Sequence, residues 1–443
     1  MKIQLSEHFT YKKLLRFVLP SIVMMIFTSI YGVVDGLFVS NYVGKTAFAA
    51  VNLVMPLLMM LSALGFMMGT GGSAIVAKTL GQGDKERANR YFSMMVYVTV
   101  VGGVVLTVLG LVFLRPIVTA LGAEGEMIGE CLIYRRISLA SLTFFMVQNV
   151  FQSFFVAAEK PHLGLGVMVA AGVTNMVLDY LFIAILGWGI AGAAAATAAG
   201  ETVGGIVPLI YFFRKNTSLL RLTKTKIKGK ILLKACTNGS SELMTNLSMS
   251  LVNMLYNVQL MRLAGEDGVA AYGVIMYVNF IFLATFIGYS IGSAPIVGYH
   301  FGAQNHYELK NLFQKSMRLI GGWGGLLMLL AFALSGPLAQ FFVGYDAELL
   351  AMTSHGLRLY ALAFLVSGFN IYGSAFFTAL NNGLVSAVIS FLRTLVFQMA
   401  AVLILPRLLG LNGIWLAVLV AELLALGVTL QFFIRKKKVY HYL

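Results

Sequence analysis

Apolar runs of about 20 residues recur along the whole chain and alternate with short polar breaks, a length that matches the roughly 30 Å bilayer core when helical. This pattern predicts an all-α polytopic membrane protein with twelve spans. The first six lie near residues 14–42, 47–77, 91–114, 128–158, 162–186 and 190–213. The second six lie near residues 235–263, 268–299, 312–334, 349–379, 384–405 and 412–434.

The second half of the sequence repeats the first. A displacement of 221 residues pairs Gly44 with Gly265, Gly71 with Gly292 and Gly81 with Gly302, among other identities, without a gap. The repeat predicts an N-terminal six-helix bundle over residues 1–213, a linker over 214–234 and a C-terminal six-helix bundle over 235–443. Parallel repeats of this kind are related by a pseudo-twofold axis along the membrane normal, and they enclose a cavity that opens to alternate sides in transporters.

Composition supports a membrane protein, since 59% of the residues are hydrophobic, 11% are charged and the mean hydropathy is +0.85. Most of the 32 Lys and Arg fall in loops on one side when twelve spans are assumed. Basic loops face the cytoplasm, so the chain is expected in the cell membrane with both termini cytoplasmic. The net charge of +15 is explained by these loops and by anionic lipid, and no nucleic acid is expected as a partner.

Carboxylates within the spans are the candidate chemistry. An acid at the centre of a span costs about 2.5 to 3.5 kcal/mol, so each requires a partner or a function. The acids placed within spans are Asp35, Asp179, Glu201, Glu242 and Glu422. Glu201 and Glu422 occupy equivalent positions in the repeat and are expected to be structural. Glu242 lies close to the inner boundary, where solvation is expected.

Asp35, Asp179 and Thr197 fall at one depth in the outer half of the first bundle, when the helical rise is counted from the ends of their spans. Asn175 precedes Asp179 by one turn, so both lie on one helix face. Two carboxylates, an amide and a hydroxyl would suit a proton or Na⁺, and the group is a metal site only if Na⁺ is the ion. The alternative is unrelated polar residues, each satisfied locally by backbone or water.

The position of Asp35 is taken by Tyr256 in the second half, so this acid site is expected in one bundle only. Arg393 lies within the eleventh span and is expected to hold that helix through a carbonyl or carboxylate partner. Cys131 and Cys236 are predicted near opposite faces of the membrane, so no disulfide is expected.

The chain resembles the multidrug and toxic compound extrusion (MATE) family, in particular its Gram-positive multidrug exporters. The resemblance covers the whole length and rests on the order and spacing of short motifs. They are VDGLFVSNYVG at 34–44, AFAAVNLVMP at 47–56, GTGGSAIVAKTLGQGD at 69–84 and GIAGAAAAT at 189–197.

The resemblance implies a secondary active antiporter that exports organic, often cationic, amphipathic compounds in exchange for H⁺ or Na⁺. It implies a monomer in lipid, without cofactor or ATP. In such relatives, residues matching Asp35, Asn175, Asp179 and Thr197 form the cation site of the N-terminal bundle. The implied substrate cavity comprises Asn149, Gln152, Tyr31 and Gln148. Some relatives instead carry acids in the middle of the seventh span and in the tenth, a pattern that this sequence lacks.

Other functions are less well supported. A flippase for a lipid-linked cell-envelope precursor is the closest alternative, but such proteins usually need basic residues in the cavity, where Arg393 is the one notable candidate. An enzyme or a channel is not expected, because no His, Cys or Ser cluster has catalytic spacing. The NYVGKT stretch resembles the end of a phosphate-binding loop but has Val39 where the first glycine is required.

Overall fold

A computed structural model describes residues 3–120 and 125–443, and these are mostly helical. In the first half, the helices are α1 (Tyr11–Phe38), α2 (Lys45–Gly81), α3 (Lys85–Val112), α4 (Leu114–Ala120), α5 (Glu126–Ala157), α6 (Pro161–Asp179) and α7 (Gly189–Phe213). In the second half, they are α8 (Gly229–Gly302), α9 (His306–Val343), α10 (Ala347–Ala361), α11 (Phe364–Ala379), α12 (Gly383–Phe391), α13 (Phe397–Leu409) and α14 (Leu411–Tyr440).

The helices of the described ranges account for twelve spans. Ten are long and apolar enough to cross a membrane, and α10 and α11, which meet at an angle of 49°, form one more. The twelfth span comes from the 74-residue helix α8, which was counted once above. Gly265, with φ 61° and ψ −148°, divides this helix into two spans. A positive φ of this kind is readily adopted by glycine, which has no Cβ to clash. The twelve-helix fold is therefore confirmed.

Most helix ends lie within a few residues of the predicted spans, but α9 runs from His306 to Val343 rather than over 312–334, and the linker differs as well. The seventh span begins at Gly229 rather than at residue 235. Residues 214–228 do not form a helix; they run along α3, where Asn89 Oδ1 accepts from the Arg221 N–H at 2.9 Å. Ser93 Oγ likewise accepts from the Thr223 N–H at 2.8 Å. Helix α8 therefore begins earlier than the predicted seventh span, because the last basic residues of the linker extend the apolar helix beyond the membrane.

The two halves form two lobes that touch closely near the chain termini. A Cβ on Gly71 of α2 would overlap the carbonyl oxygen of Ala235 in α8, and one on Gly302 would overlap that of Lys78. Asn381 Nδ2 donates to the carbonyl oxygen of Ala74 at 3.2 Å across the same boundary. Glycines allow backbones to approach without side chains between them. The cleft between the lobes is therefore sealed at the end of the molecule that carries the termini.

An N-terminal segment, residues 3–10, crosses this sealed end. The Leu5 N–H donates to Glu159 Oε1 at 2.8 Å in the first lobe, and the Phe9 N–H donates to Glu308 Oε1 at 2.9 Å in the second. Leu5 and Phe9 have fully buried side chains. Glu7 joins the segment to α1: its hydrogen bond with Lys13, supported by the Gln4 amide, lowers the pKa of the Glu7 carboxyl. The segment therefore links both lobes.

Candidate functional site

Three helices of the first lobe bring the predicted cation-site residues together. Asn175 Nδ2 on α6 donates to Thr197 Oγ1 on α7 at 3.4 Å, and Thr197 Oγ1 donates to Asp35 Oδ1 on α1 at 3.5 Å. Both distances are at the long end for hydrogen bonds, so these contacts hold the group loosely. Asp35, Asn175, Asp179 and Thr197 thus form one polar cluster in the structure.

Asp179 is the least satisfied member of the cluster. Its side chain is fully buried, and neither carboxylate oxygen accepts a hydrogen bond from any residue in the described ranges. The Asp35 carboxylate lies within hydrogen-bonding reach of it. Two ionised carboxylates at this separation repel each other in a poorly solvated site. A proton shared between them, or a small cation, would relieve that repulsion.

Small residues permit the close approach of the three helices. A Cβ on Gly200 of α7 would lie 2.8 Å from the carbonyl oxygen of Ala171 on α6, and one on Gly172 would lie 2.5 Å from a ring carbon of Phe27 on α1. A larger side chain at either position would force the helices apart. These glycines therefore set the spacing of the polar cluster, although they carry no polar side chain.

Both acids adjoin an irregular turn. A π-helical segment, Val39–Val43, follows α1 one turn after Asp35, and another, Tyr180–Ile185, follows Asp179 directly. Such segments open the regular helical hydrogen-bond pattern and occur frequently at functional sites. The helices that carry the acids are thus interrupted next to them, where the apolar pattern of the sequence gives no sign of a break.

The residues implied as a substrate cavity are buried within the first lobe. Gln148, Asn149 and Gln152 on α5 are 3%, 3% and 7% exposed, and Gln148 Nε2 lies 3.3 Å from the sulfur of Met168. Tyr31 on α1 is partly buried. None of the four lines the cavity between the lobes. Their part in substrate binding stays a prediction.

A cavity of about 280 Å³ separates the lobes. Helices α1 and α2 supply one wall, which includes Met25, Ser29 and Thr70, while α8 supplies much of the other. Glu242 lines this cavity and is partly exposed, and its expected solvation near the inner boundary stays a prediction. The sequence shows the acid but not the direction in which its helix face points, and that direction is set by packing of α8 against α2.

The other acids in spans have partners. Arg393 Nε lies 2.9 and 3.0 Å from the two carboxylate oxygens of Glu422, and Asn370 Nδ2 donates to Glu422 Oε2 at 2.7 Å. The expectation of a carboxylate partner for Arg393 is therefore confirmed. Ser141 Oγ donates to Glu201 Oε2 at 2.5 Å and joins α5 to α7. Arg135, within the predicted fourth span, is fully buried on α5.

Two six-helix lobes that face each other across a cleft, with a pair of neighbouring acids inside the first lobe, define the class as a polytopic membrane transporter. The sequence profile of the MatE family matches residues 20–181 and 243–404, one match in each lobe. The chain belongs to the MatE family, as its sequence motifs indicate.

Similar proteins share the full length of the chain. A protein named multidrug export protein MepA, from Staphylococcus haemolyticus, is 24% identical over 94% of this chain and 92% of its own. Its namesake from Staphylococcus aureus strain MRSA252 is 22% identical over 93% of this chain and 91% of its own. The crystal structure of a MATE protein in complex with MaL6 superposes with a TM-score of 0.93 at 24% identity and covers 98% of each chain. A transporter described as outward-facing gives 0.92, also at 24% identity, over 98% of this chain and 97% of its own.

Proposed function

We propose that this chain is a secondary active antiporter that exports organic, often cationic, amphipathic compounds across the cell membrane in exchange for H⁺ or Na⁺. Its relatives include proteins named multidrug export proteins. The observation that carries the proposal is the pair Asp35 and Asp179, in which Asp179 is fully buried and has no hydrogen-bond donor among the described residues. Such a pair is poised to bind a cation from the gradient that drives transport.

The direction of transport follows from the membrane potential. A proton or Na⁺ that moves inward gains about 2.3 kcal/mol per charge for each 100 mV, so the site should load from outside and release inside. With both termini cytoplasmic, the sealed end faces the cytoplasm and the structure is outward-facing. Ion binding neutralises the acid pair, which lets α1 shift and weakens the hold on a bound drug.

The test replaces each acid without changing its size. Asp35→Asn and Asp179→Asn should each abolish gradient-driven efflux of a fluorescent cationic dye from vesicles, because neither amide can exchange a proton or neutralise a cation. Glu266→Gln serves as control, since Glu266 is an exposed acid beyond the first α8 span. Efflux at the wild-type rate in either aspartate variant would place the ion site elsewhere, with Glu201 as the next candidate.

The identity of the coupling ion is tested separately. Dye efflux is measured in vesicles with either an imposed pH gradient at zero Na⁺ or an imposed Na⁺ gradient at equal pH. Dye efflux that is driven by only one of the two gradients identifies the coupling ion. If neither gradient drives efflux from vesicles whose protein still binds the dye, this result would contradict antiport.

The flippase alternative has less support in the cavity. Pyrophosphate recognition needs positive charge that is free to bind it. Arg393 lines the cavity but is held by both oxygens of Glu422. We therefore favour export of a small organic compound, and we expect no vesicle-to-vesicle or leaflet transfer of a lipid-linked pyrophosphate in a reconstituted assay.

A further inference from the structure

Glu242 is a partly buried acid that the coupling site does not use. It lies in the first span of α8 and lines the cavity between the lobes. Its carboxylate makes no hydrogen bond or ion pair with any residue in the described ranges. A carboxylate that lines a largely apolar cavity without a counter-charge from the protein is available to pair with a positively charged ligand.

Glu422 provides a comparison within the same cavity. It also lines the cavity, but Arg393 contacts both of its oxygens and Asn370 donates to one of them. The Arg393 and Glu422 charges cancel, and neither is left to attract a charged ligand. The uncompensated charge on this wall is therefore that of Glu242.

The surroundings of Glu242 suit a large organic cation better than a bare metal ion. Met25, Met249, Phe280 and Leu283 give the cavity a flexible apolar and aromatic lining. Methionine adapts to ligands of different shape, and aromatic faces attract organic cations. A hard ion such as Na⁺ prefers several oxygen ligands at short distance, whereas the nearby Thr245 hydroxyl is already bonded to the Ser241 carbonyl oxygen at 2.8 Å.

We propose that Glu242 binds the cationic group of the exported compound. This rests on the proposed export function and adds a second cation-binding position, in the other lobe from Asp35 and Asp179. The drug and the coupling ion then have separate carboxylates. Binding of the drug and binding of the coupling ion then disfavour each other through the conformation of the lobes, and not because the two ligands compete for one carboxylate.

The test measures binding of tetraphenylphosphonium, a permanently charged organic cation, to the purified full-length protein without any ion gradient. Glu242→Gln should weaken binding about tenfold or more, because it removes the charge in a poorly solvated cavity. Glu242→Asp keeps the charge and should retain part of the affinity. The control Glu266→Gln should bind as the wild type does. Equal affinity of wild type and Glu242→Gln, or no binding by the wild type, overturns the proposal.

A second measurement needs no variant. A hydrophobic carbodiimide modifies carboxyl groups in membrane spans, and mass spectrometry reads each site separately. Tetraphenylphosphonium should slow modification at Glu242 by several-fold and leave Glu266 unchanged. Unchanged modification at Glu242 at saturating tetraphenylphosphonium would refute direct binding.

These outcomes are separable from those of the coupling proposal. Loss of binding in Glu242→Gln, together with normal efflux in Asp35→Asn and Asp179→Asn, would support Glu242 and refute the coupling site. Normal binding in Glu242→Gln, together with no efflux in the aspartate variants, would support the coupling site and refute the role of Glu242.

Discussion

At the scale of single residues, the acids within the membrane differ by what surrounds them. Glu422 has an arginine and an amide, and Glu201 has a serine hydroxyl. Asp179 and Glu242 have no donor among the described residues. A fully paired carboxylate stabilises helix packing, whereas an unpaired one favours binding of a positive ligand. The same residue type therefore serves stability in one place and is suited to transport in another.

The Arg393 and Glu422 pair gives a prediction about stability. Arg393→Gln should lower the free energy of unfolding by about 3 kcal/mol or more, because it leaves the Glu422 charge buried without its cation. The double variant with Glu422→Gln should recover much of this loss, since neither charge remains. Thermal unfolding of the detergent-purified proteins measures both effects. Loss of dye transport in Arg393→Gln at unchanged stability would instead indicate a role in transport.

At the scale of elements, the N-terminal segment of residues 3–10 has a structural role that its sequence does not predict. Its backbone N–H groups are held by Glu159 in one lobe and Glu308 in the other, and Phe9 packs against Phe17 with ring centroids 5.9 Å apart. The segment can make both hydrogen bonds only while the lobes are together at this end. The segment therefore stabilises the closed arrangement of the terminal end.

Removing the segment should shift the balance between conformations. Deletion of residues 3–9 should make a single cysteine at Ser73, which is 4% exposed and lines the cavity, react faster with a polar thiol reagent added from the side of the termini. The physical reason is the loss of the hydrogen bonds and apolar contacts that bridge the lobes. The background is a variant in which Cys131 and Cys236 are serine. An unchanged labelling rate would show that the helix contacts alone keep this end closed.

At the scale of the whole molecule, transport requires the sealed end to open. The lobes meet there at positions where a Cβ on Gly298 of α8 would lie 3.1 Å from the Cβ of Ala77 on α2. Close backbone packing of this kind separates as a unit rather than gradually. Under the proposed function, the structure represents one of the two states that alternating access needs.

A disulfide across the lobes tests this requirement. In the double variant Ala77→Cys and Gly298→Cys, the two Cβ atoms would lie 3.1 Å apart. This is slightly less than the roughly 3.5 to 4.5 Å found in disulfides, so a small outward shift of one helix allows the bond to form. Oxidation should abolish dye efflux, and reduction should restore it, because the bond prevents the terminal end from opening. Each single cysteine variant is the control and should transport in both conditions. Efflux that persists in the oxidised, cross-linked protein would contradict alternating access at this end.

The sequence determined the span pattern and the repeat, and it grouped the four residues that are predicted to form the cation site. Apolar length is dictated by bilayer thickness, and the depth of each acid follows from the helical rise, so Asp35, Asp179 and Thr197 could be placed at one level. The one-turn spacing of Asn175 and Asp179 fixed their shared face. These properties depend on residues close together in the chain or on the membrane itself.

Only the tertiary structure decided which buried groups are paired. In the sequence, Glu242 and Glu422 are both acids in apolar helices. In the structure, Glu242 lines the cavity without a partner among the described residues, whereas Glu422 is held by Arg393 from another helix. The buried place of Arg135 and the path of residues 3–10 across both lobes were equally hidden. The reason is physical: pairing and burial depend on the rotation of each helix against its neighbours, and this is set by contacts between residues far apart in the chain.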